Sequence, residues 1–111
     1  MTKRDILRSG AALALLAMAG SAPSAPPPRE HVINMANMSY GRIPSGIKVG
    51  DTILWVNRDN VPHTATARNR AFNVVLLQGR SSRMTVTRAG TFAIYCIYHP
   101  MMRSRLTVAA A

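Results

Sequence analysis

The fold of this chain is indicated most clearly by residues 82–96, which read SRMTVTRAGTFAIYC. Apolar and polar side chains alternate with period two over residues 82–88, as in a strand with one buried face. Ala89 and Gly90 then form a turn signal, and residues 91–96 are again rich in β-branched and aromatic side chains. This stretch therefore predicts two short strands separated by a turn.

The same alternation of strand and turn signals continues on both sides of this stretch. Six further segments are predicted to be extended: 31–35, 47–49, 52–57, 63–67, 72–77 and 105–108. The body of the chain has no long amphipathic helical pattern. Seven or eight short strands with frequent turns predict an all-β fold, a β-sandwich with Greek-key connections.

The beginning of the chain differs from the rest. A basic head over residues 3–8 precedes an uncharged apolar run over residues 11–19, and small residues and prolines follow. These are the three parts of a secretory signal peptide. The apolar run is shorter than the about 20 residues that span a bilayer. We expect residues 1–28 to be a signal peptide with a proline-rich link, and residues 29–111 to be one domain without stable membrane insertion.

The basic head also resembles a twin-arginine export signal. Residues 2–8 read TKRDILR, with Lys3 in place of the first arginine. Export of either an already folded or an unfolded chain is compatible with this sequence. Both routes predict a periplasmic protein, cleaved somewhere between residues 19 and 28.

The charge of the chain is strongly positive. The formal net charge is +10, and loss of three basic residues and one acidic residue with the head leaves +8. Such a charge favours acidic partner proteins, anionic lipids or nucleic acid, although solubility alone is an alternative explanation. Export and the scattering of the arginines along the chain argue against nucleic acid.

Cys96 is the single cysteine, so no internal disulfide can form. A small exported domain usually needs a staple for its core, and a metal held by the thiolate would supply one.

A set of metal-binding side chains surrounds this cysteine. Cys96, His99 and Met102 follow one another at three-residue spacing, at the end of a predicted strand. A thiolate, an imidazole and a thioether suit copper, and His63 is the candidate for a second imidazole. Individually, each residue has a simpler explanation, as a buried thiol, a surface imidazole or a core methionine; their common spacing favours a site.

Two further residues, Met101 and His31, are of types that can also bind copper. Met101 competes with Met102 for the weak axial position, and the three-residue step favours Met102. His31 has no other candidate ligand near it in sequence, so we expect it to lie on the surface.

These residues resemble the cupredoxins, specifically the amicyanin and plastocyanin branch. The resemblance covers about residues 47–108. It is carried by Val49-Gly50-Asp51-Thr52, Trp55-Val56-Asn57, Pro62-His63-Thr64, Ala89-Gly90-Thr91-Phe92, Tyr95-Cys96, His99-Pro100 and Met102-Arg103.

The resemblance implies an eight-stranded sandwich with one copper ion near one end. The implied ligands are His63, Cys96, His99 and Met102. It also implies supporting roles for two residues: the Asn57 amide ties the two ligand loops together, and backbone N–H groups near Thr64 point at the cysteine sulfur.

The resemblance further implies that electrons leave through a partly exposed His99. An apolar patch of Pro62, Pro100 and Met101 would surround it. The expected function is that of a blue-copper protein, a diffusible and monomeric one-electron carrier between redox proteins, with partners that are acidic at the contact surface.

Two other functions are alternatives to this one. A copper chaperone or storage protein would use the same ligands but exchange the metal readily. A sandwich with a vestigial site is disfavoured because all four ligands are present. An enzyme is not expected, since four protein ligands leave no open position for a substrate and a second cysteine for a dinuclear site is absent.

Overall fold

The computed structural model describes residues 26–111, which contain eight strands and no helix. The strands are β1 (Glu30–Ala36), β2 (Ser39–Tyr40), β3 (Thr52–Asn57), β4 (His63–Ala67), β5 (Asn73–Leu76), β6 (Ser81–Thr85), β7 (Gly90–Tyr95) and β8 (Arg103–Val108). They form two four-stranded sheets, with the orders β2-β1-β3-β6 and β5-β4-β7-β8. The predicted all-β sandwich is confirmed.

The signal peptide prediction falls almost wholly on residues 1–25, which lie outside the described residues, and it stays a prediction. Within the described residues, no helix has the length and apolar character needed to cross a membrane.

The core lies between the two sheets and follows the period-two alternation of the strands. Its members are nearly inaccessible to solvent and include Ile33, Met35, Ile53, Trp55, Ile94, Leu106 and Val108. Trp55 is the largest, and its ring lies 6.4 Å from the rings of Tyr40 and Phe72. Truncation of a buried side chain of this size to alanine costs about 3–5 kcal/mol. The sandwich is therefore held by this apolar layer.

Two predicted segments are shorter than expected. The segment 47–49 makes only a single parallel bridge, between Lys48 and Ala109. Strand β6 ends at Thr85 because the next residue, Val86, turns to exchange backbone bonds with Gly50 and Asp51.

Strand β2 was not predicted. It follows a tight turn at Asn37 and Met38, which have φ angles of 54° and 61° although neither is glycine. Asp59 accepts hydrogen bonds from both backbone N–H groups, at 2.8 and 2.9 Å. A carboxylate from a distant loop thus stabilises a left-handed turn in which Asn37 tolerates the conformation but Met38 does not favour it.

The prediction that His31 lies on the surface is wrong. His31 is only 6% exposed and points inward in phase with Ile33 and Met35 on β1. Its Nε2 atom lies 2.8 Å from Asp51 Oδ2, and the same carboxylate accepts the backbone N–H groups of Arg29 and Lys48. These bonds, led by the one to His31, lower the pKa of Asp51 to about 2. Burial of the imidazole is possible because this carboxylate satisfies it.

Candidate metal centre

The loop 96–102 is closed by its own backbone. The N–H of His99 donates to the Cys96 carbonyl at 3.3 Å, and the N–H of Met102 donates to the His99 carbonyl at 2.8 Å. The Cys96 N–H donates in turn to the Met102 carbonyl at 3.1 Å. Each bond joins residues at the three-residue or six-residue spacing of the candidate donors. The loop therefore folds back on itself at the end of β7.

His63 reaches this loop because β4 and β7 are antiparallel neighbours. Thr66 pairs with Tyr95 in their register, so the first residue of β4 lies beside the residues that follow β7. The His63 side chain is 0% exposed, and its Nδ1 atom lies 3.9 Å from Cys96 Sγ. Its ring centroid lies 5.3 Å from that of His99.

These positions fit a metal held between the side chains. A nitrogen and a sulfur that share an ion at about 2.0 and 2.3 Å lie about 3.5–3.7 Å apart, close to the 3.9 Å seen between His63 and Cys96. His99 Nε2 is buried and has no hydrogen-bond partner in the described residues. Hydrogen bonds at this nitrogen therefore do not compete with metal binding by the imidazole. A thiol, imidazoles and a thioether form a donor set suited to copper.

The site is not a ready-made cluster. Among residues 26–111, no three His, Cys, Asp or Glu side chains gather closely enough to hold a metal by themselves. The thioether of a methionine is needed to complete the set. Met102 is 4% exposed, whereas Met101 is 85% exposed.

The sulfur of Cys96 has a backbone donor beside it. Cys96 is 0% exposed, and the N–H of Thr64 donates to Sγ at 3.3 Å. A donor in this place stabilises negative charge on the sulfur and restricts its position.

The tie between the two ligand loops differs from the one implied by the resemblance. Asn57 was expected to make it, but its amide donates to the carbonyls of Val61, Leu76 and Leu77, at 2.8, 3.2 and 3.3 Å. Asn57 therefore holds the loop before His63 to the end of β5. The second loop is tied instead by Thr64, whose hydroxyl oxygen accepts the Ile97 N–H at 2.9 Å.

The correction has a simple physical basis. The Asn57 side chain is buried at the end of β3, where its amide nitrogen lies beside carbonyls of its own loop and of β5. Since buried polar groups must be satisfied nearby, the amide N–H groups of Asn57 bond these carbonyls and its Oδ1 atom accepts the Asp59 N–H at 2.9 Å. The Ile97 N–H is therefore left to the Thr64 hydroxyl.

Asp59, which was not predicted from the sequence, also contacts the site. Its Oδ2 atom lies 2.7 Å from His63 Nε2, on the side of the ring away from the sulfur. The pKa of Asp59 is lowered, first by this bond and then by the backbone bond from Met38. An acid four residues before a candidate ligand was the only sequence signal for this contact.

A second supporting residue, Tyr40, was also missed. Its hydroxyl donates to the Thr64 carbonyl at 2.5 Å, from the opposite sheet. Burial raises the pKa of this phenol. The hydroxyl thus stays protonated and fixes the residue that contacts the cysteine sulfur.

Exposed apolar side chains lie on both sides of the half-buried His99 in the sequence. Three of them belong to its own loop: Ile97, Tyr98 and Met101. Pro62, which is half-buried, and the exposed Pro100 directly flank the two histidines in sequence. This end of the sandwich is thus lined with apolar groups.

Known proteins with similar sequences are amicyanins, although no protein-family model matches the chain. The amicyanin of Paracoccus denitrificans is 32% identical over 83 residues, and that of Paracoccus versutus is 26% identical over 83 residues. Each alignment covers 69% of this chain and 63% of the relative. The chain thus spans just under two thirds of the length of these curated relatives.

Solved structures of the same kind share the fold. A methionine-to-glutamine variant of amicyanin with Cu(I) has a TM-score of 0.63 and 29% identity, over 71% of this chain and 81% of that one. A methionine-to-alanine variant in its Cu(I) form has a TM-score of 0.62 and 30% identity, over 78% and 87% of the two chains.

Proposed function

Since the chain belongs to the amicyanin-like cupredoxins, a family of copper proteins, we propose that it is a diffusible one-electron carrier. Its cofactor is one copper ion per chain. We propose His63, Cys96, His99 and Met102 as the ligands. The observation that carries this proposal is the approach of His63 Nδ1 to Cys96 Sγ at 3.9 Å, in a fully buried position.

The protein's own residues favour electron transfer with little movement. Copper bound here would supply a couple of two oxidation states, Cu(I) and Cu(II). His63 is held from behind by Asp59, and Cys96 is held by the Thr64 N–H and by the bond between Thr64 and Ile97. Groups fixed in this way cannot rearrange fully toward the geometry preferred by either oxidation state.

The buried methionine is proposed as the axial ligand. Met102 is nearly inaccessible, whereas Met101 projects into solvent. Met101 is then free to contact a partner protein, together with Pro62, Pro100 and the edge of His99. An apolar contact surface of this kind excludes water where the electron crosses.

Several properties of the carrier are part of the same proposal. We propose that it works as a periplasmic monomer, exported by its N-terminal signal, and that its redox partners present acidic surfaces to its +8 body. Four protein ligands around the copper would leave no place for a substrate, so no enzymatic activity is proposed. Deep burial of His63, Cys96 and Met102 opposes easy metal exchange, which disfavours the copper-chaperone alternative.

The first experiment is a visible absorption spectrum of the purified protein after addition of Cu(II), followed by a reductant and then an oxidant. An intense blue band that bleaches and returns is expected from a copper–thiolate bond. Cys96→Ser is the matched control and must lose the band. A pale spectrum in the parent protein, or ready loss of copper to a mild chelator, would refute the carrier.

The same spectrum distinguishes the two methionines. Met102→Gln should change the band and lower the reduction potential, because an oxygen donor favours Cu(II) over Cu(I). Met101→Gln should leave both unchanged. The reverse result would transfer the axial role to Met101.

A further inference from the structure

The outer face of the sheet β5-β4-β7-β8 carries a group of exposed arginines. Arg103 and Arg105 lie two residues apart on β8 and so point to the same side. Their partners across the strand pair are Tyr95 and Ala93 on β7. With Arg68, which directly follows β4, they line a shallow depression over Ala93.

Arg68 is held in a defined orientation at this face. Its backbone N–H donates to the Ala93 carbonyl at 2.9 Å. Its guanidinium carbon lies 4.2 Å from the centre of the Tyr95 ring. A guanidinium stacked on an aromatic ring keeps its N–H edge free to bind a planar anionic group.

No carboxylate of the described residues neutralises this face. The described residues contain three acids, which pair with Arg83 (Glu30), His31 (Asp51) and His63 (Asp59). Strands β4, β5, β7 and β8 contain no Asp or Glu at all. The positive charge of the three arginines is therefore available to a partner.

The geometry points to a docking surface for an acidic segment of a partner protein, made by Arg68, Arg103 and Arg105. Carboxylates bind arginine through two parallel hydrogen bonds, and the depression over Ala93 gives their side chains room. The identification of this partner as a redox protein rests on the proposed function. It adds the surface that selects the acidic partner, beside the apolar surface at His99.

Other occupants are less compatible with this face. A bilayer surface would be met by large apolar side chains, but the exposed residues beside the arginines on β7 and β8 are Thr91, Ala93 and Thr107. A nucleic acid base would stack on an open aromatic ring, but Arg68 already covers Tyr95.

The position of the surface suits a carrier. Tyr95 is covalently joined to Cys96, and Arg103 is joined to Met102. A partner bound by the arginines is thereby held next to the candidate copper site.

The test is a titration of the full, copper-loaded Cu(I) protein with short poly-L-glutamate, followed by amide chemical shifts. We expect the shifts to change around residues 68, 93–95 and 103–105. Arg68→Gln/Arg105→Gln should weaken binding about three- to tenfold, the effect of losing two exposed ion pairs. Arg42→Gln/Arg88→Gln is the matched control, since it removes the same charge from exposed positions elsewhere.

Three outcomes would overturn the inference. Equal weakening in the two double variants would mean that only net charge attracts the peptide. Shifts confined to residues 97–101 would place the contact at the apolar end. Binding to phosphatidylglycerol vesicles without binding to poly-L-glutamate would assign the face to a membrane.

The blue band separates this inference from the proposed function. A protein that binds poly-L-glutamate at this face but shows no reversible band keeps the surface and loses the carrier function. A protein with the band but without the face-specific binding keeps the carrier function and loses the surface.

Discussion

Two histidine–aspartate pairs with buried imidazoles stand at opposite ends of strand β3. His31 pairs with Asp51 just before the strand, and His63 pairs with Asp59 just after it, at 2.8 and 2.7 Å. The six residues of β3 separate them by about 20 Å. The two pairs have the same chemistry and similar geometry, yet only one belongs to a candidate site.

The difference lies in what else the pair contacts. Asp51 is surrounded by backbone N–H groups of Arg29 and Lys48, so this pair closes a chain junction. His63 instead presents its second nitrogen to the sulfur of Cys96. A buried histidine with a carboxylate partner is therefore not by itself a functional signal, and the group facing its other nitrogen decides its role.

The largest effect should come from replacing each of the two histidines with glutamine. We expect His63→Gln to abolish the blue band, because the copper loses an imidazole that also fixes the site. His31→Gln should keep the band and lower the melting temperature by about 5 °C, through the loss of one buried bond. Absorption spectra and thermal unfolding of both variants measure this. Loss of the band in His31→Gln would mean that the two ends are coupled.

Replacement of the two aspartates should produce a smaller difference, which is measured as copper affinity. Asp59→Asn should weaken copper binding about 10- to 100-fold, the usual cost of losing a group that orients a ligand. Asp51→Asn should leave copper affinity unchanged. Competition with a chelator, followed at the blue band, gives both affinities, and equal values in the two variants would show that Asp59 does not orient His63.

The pair of His31 and Asp51 should also make the stability of the protein depend on pH in acid. The folded-state pKa of Asp51 is about 2, below its ordinary value of 3.8. The pair thus contributes stability that is complete above about pH 4 and disappears as the pH falls toward 2. Asp51→Asn should be less stable than the parent at neutral pH, and the difference should shrink across this interval. Denaturant unfolding followed by Trp55 fluorescence measures it; a constant difference would contradict the assignment.

The smallest effect concerns the turns at the two ends. Near Asp51, the left-handed residue is Gly50, with φ 99°, whereas the turn held by Asp59 contains Met38, with φ 61°. Met38→Gly should stabilise the protein by about 0.5–1 kcal/mol, because glycine adopts this conformation without strain. Denaturant unfolding should detect the gain. A loss of stability would show that the methionine side chain contributes more than its backbone costs.

Strand β3 and the burial of His31 differ in how far neighbouring residues determine them. Strand β3 was predicted at its observed bounds because the β-branched and aromatic character of its residues is visible in consecutive positions. The inward phase of His31 with Ile33 and Met35 was equally visible. Its burial was missed because its partner, Asp51, is 20 residues away in sequence.

The turn before β2 was not predictable in the same way. Asn37 and Met38 contain no glycine, and the carboxylate that holds them comes from Asp59, about 20 residues later. Similarly, the resemblance named Asn57 as the tie between loops, but the bond belongs to Thr64. Which of two buried polar groups reaches a given N–H depends on the packing around each.

The amino-acid sequence by itself determined the donor types, the Cys96–His99–Met102 spacing and the alternation that makes strands. These are properties of residues close together in the sequence, and the covalent geometry of the chain is enough to fix them. Only the tertiary structure decided that His63 meets Cys96, which aspartate each histidine contacts, and that three arginines share one face. Those contacts join residues up to 37 positions apart, and they exist because particular strands pair in a particular register.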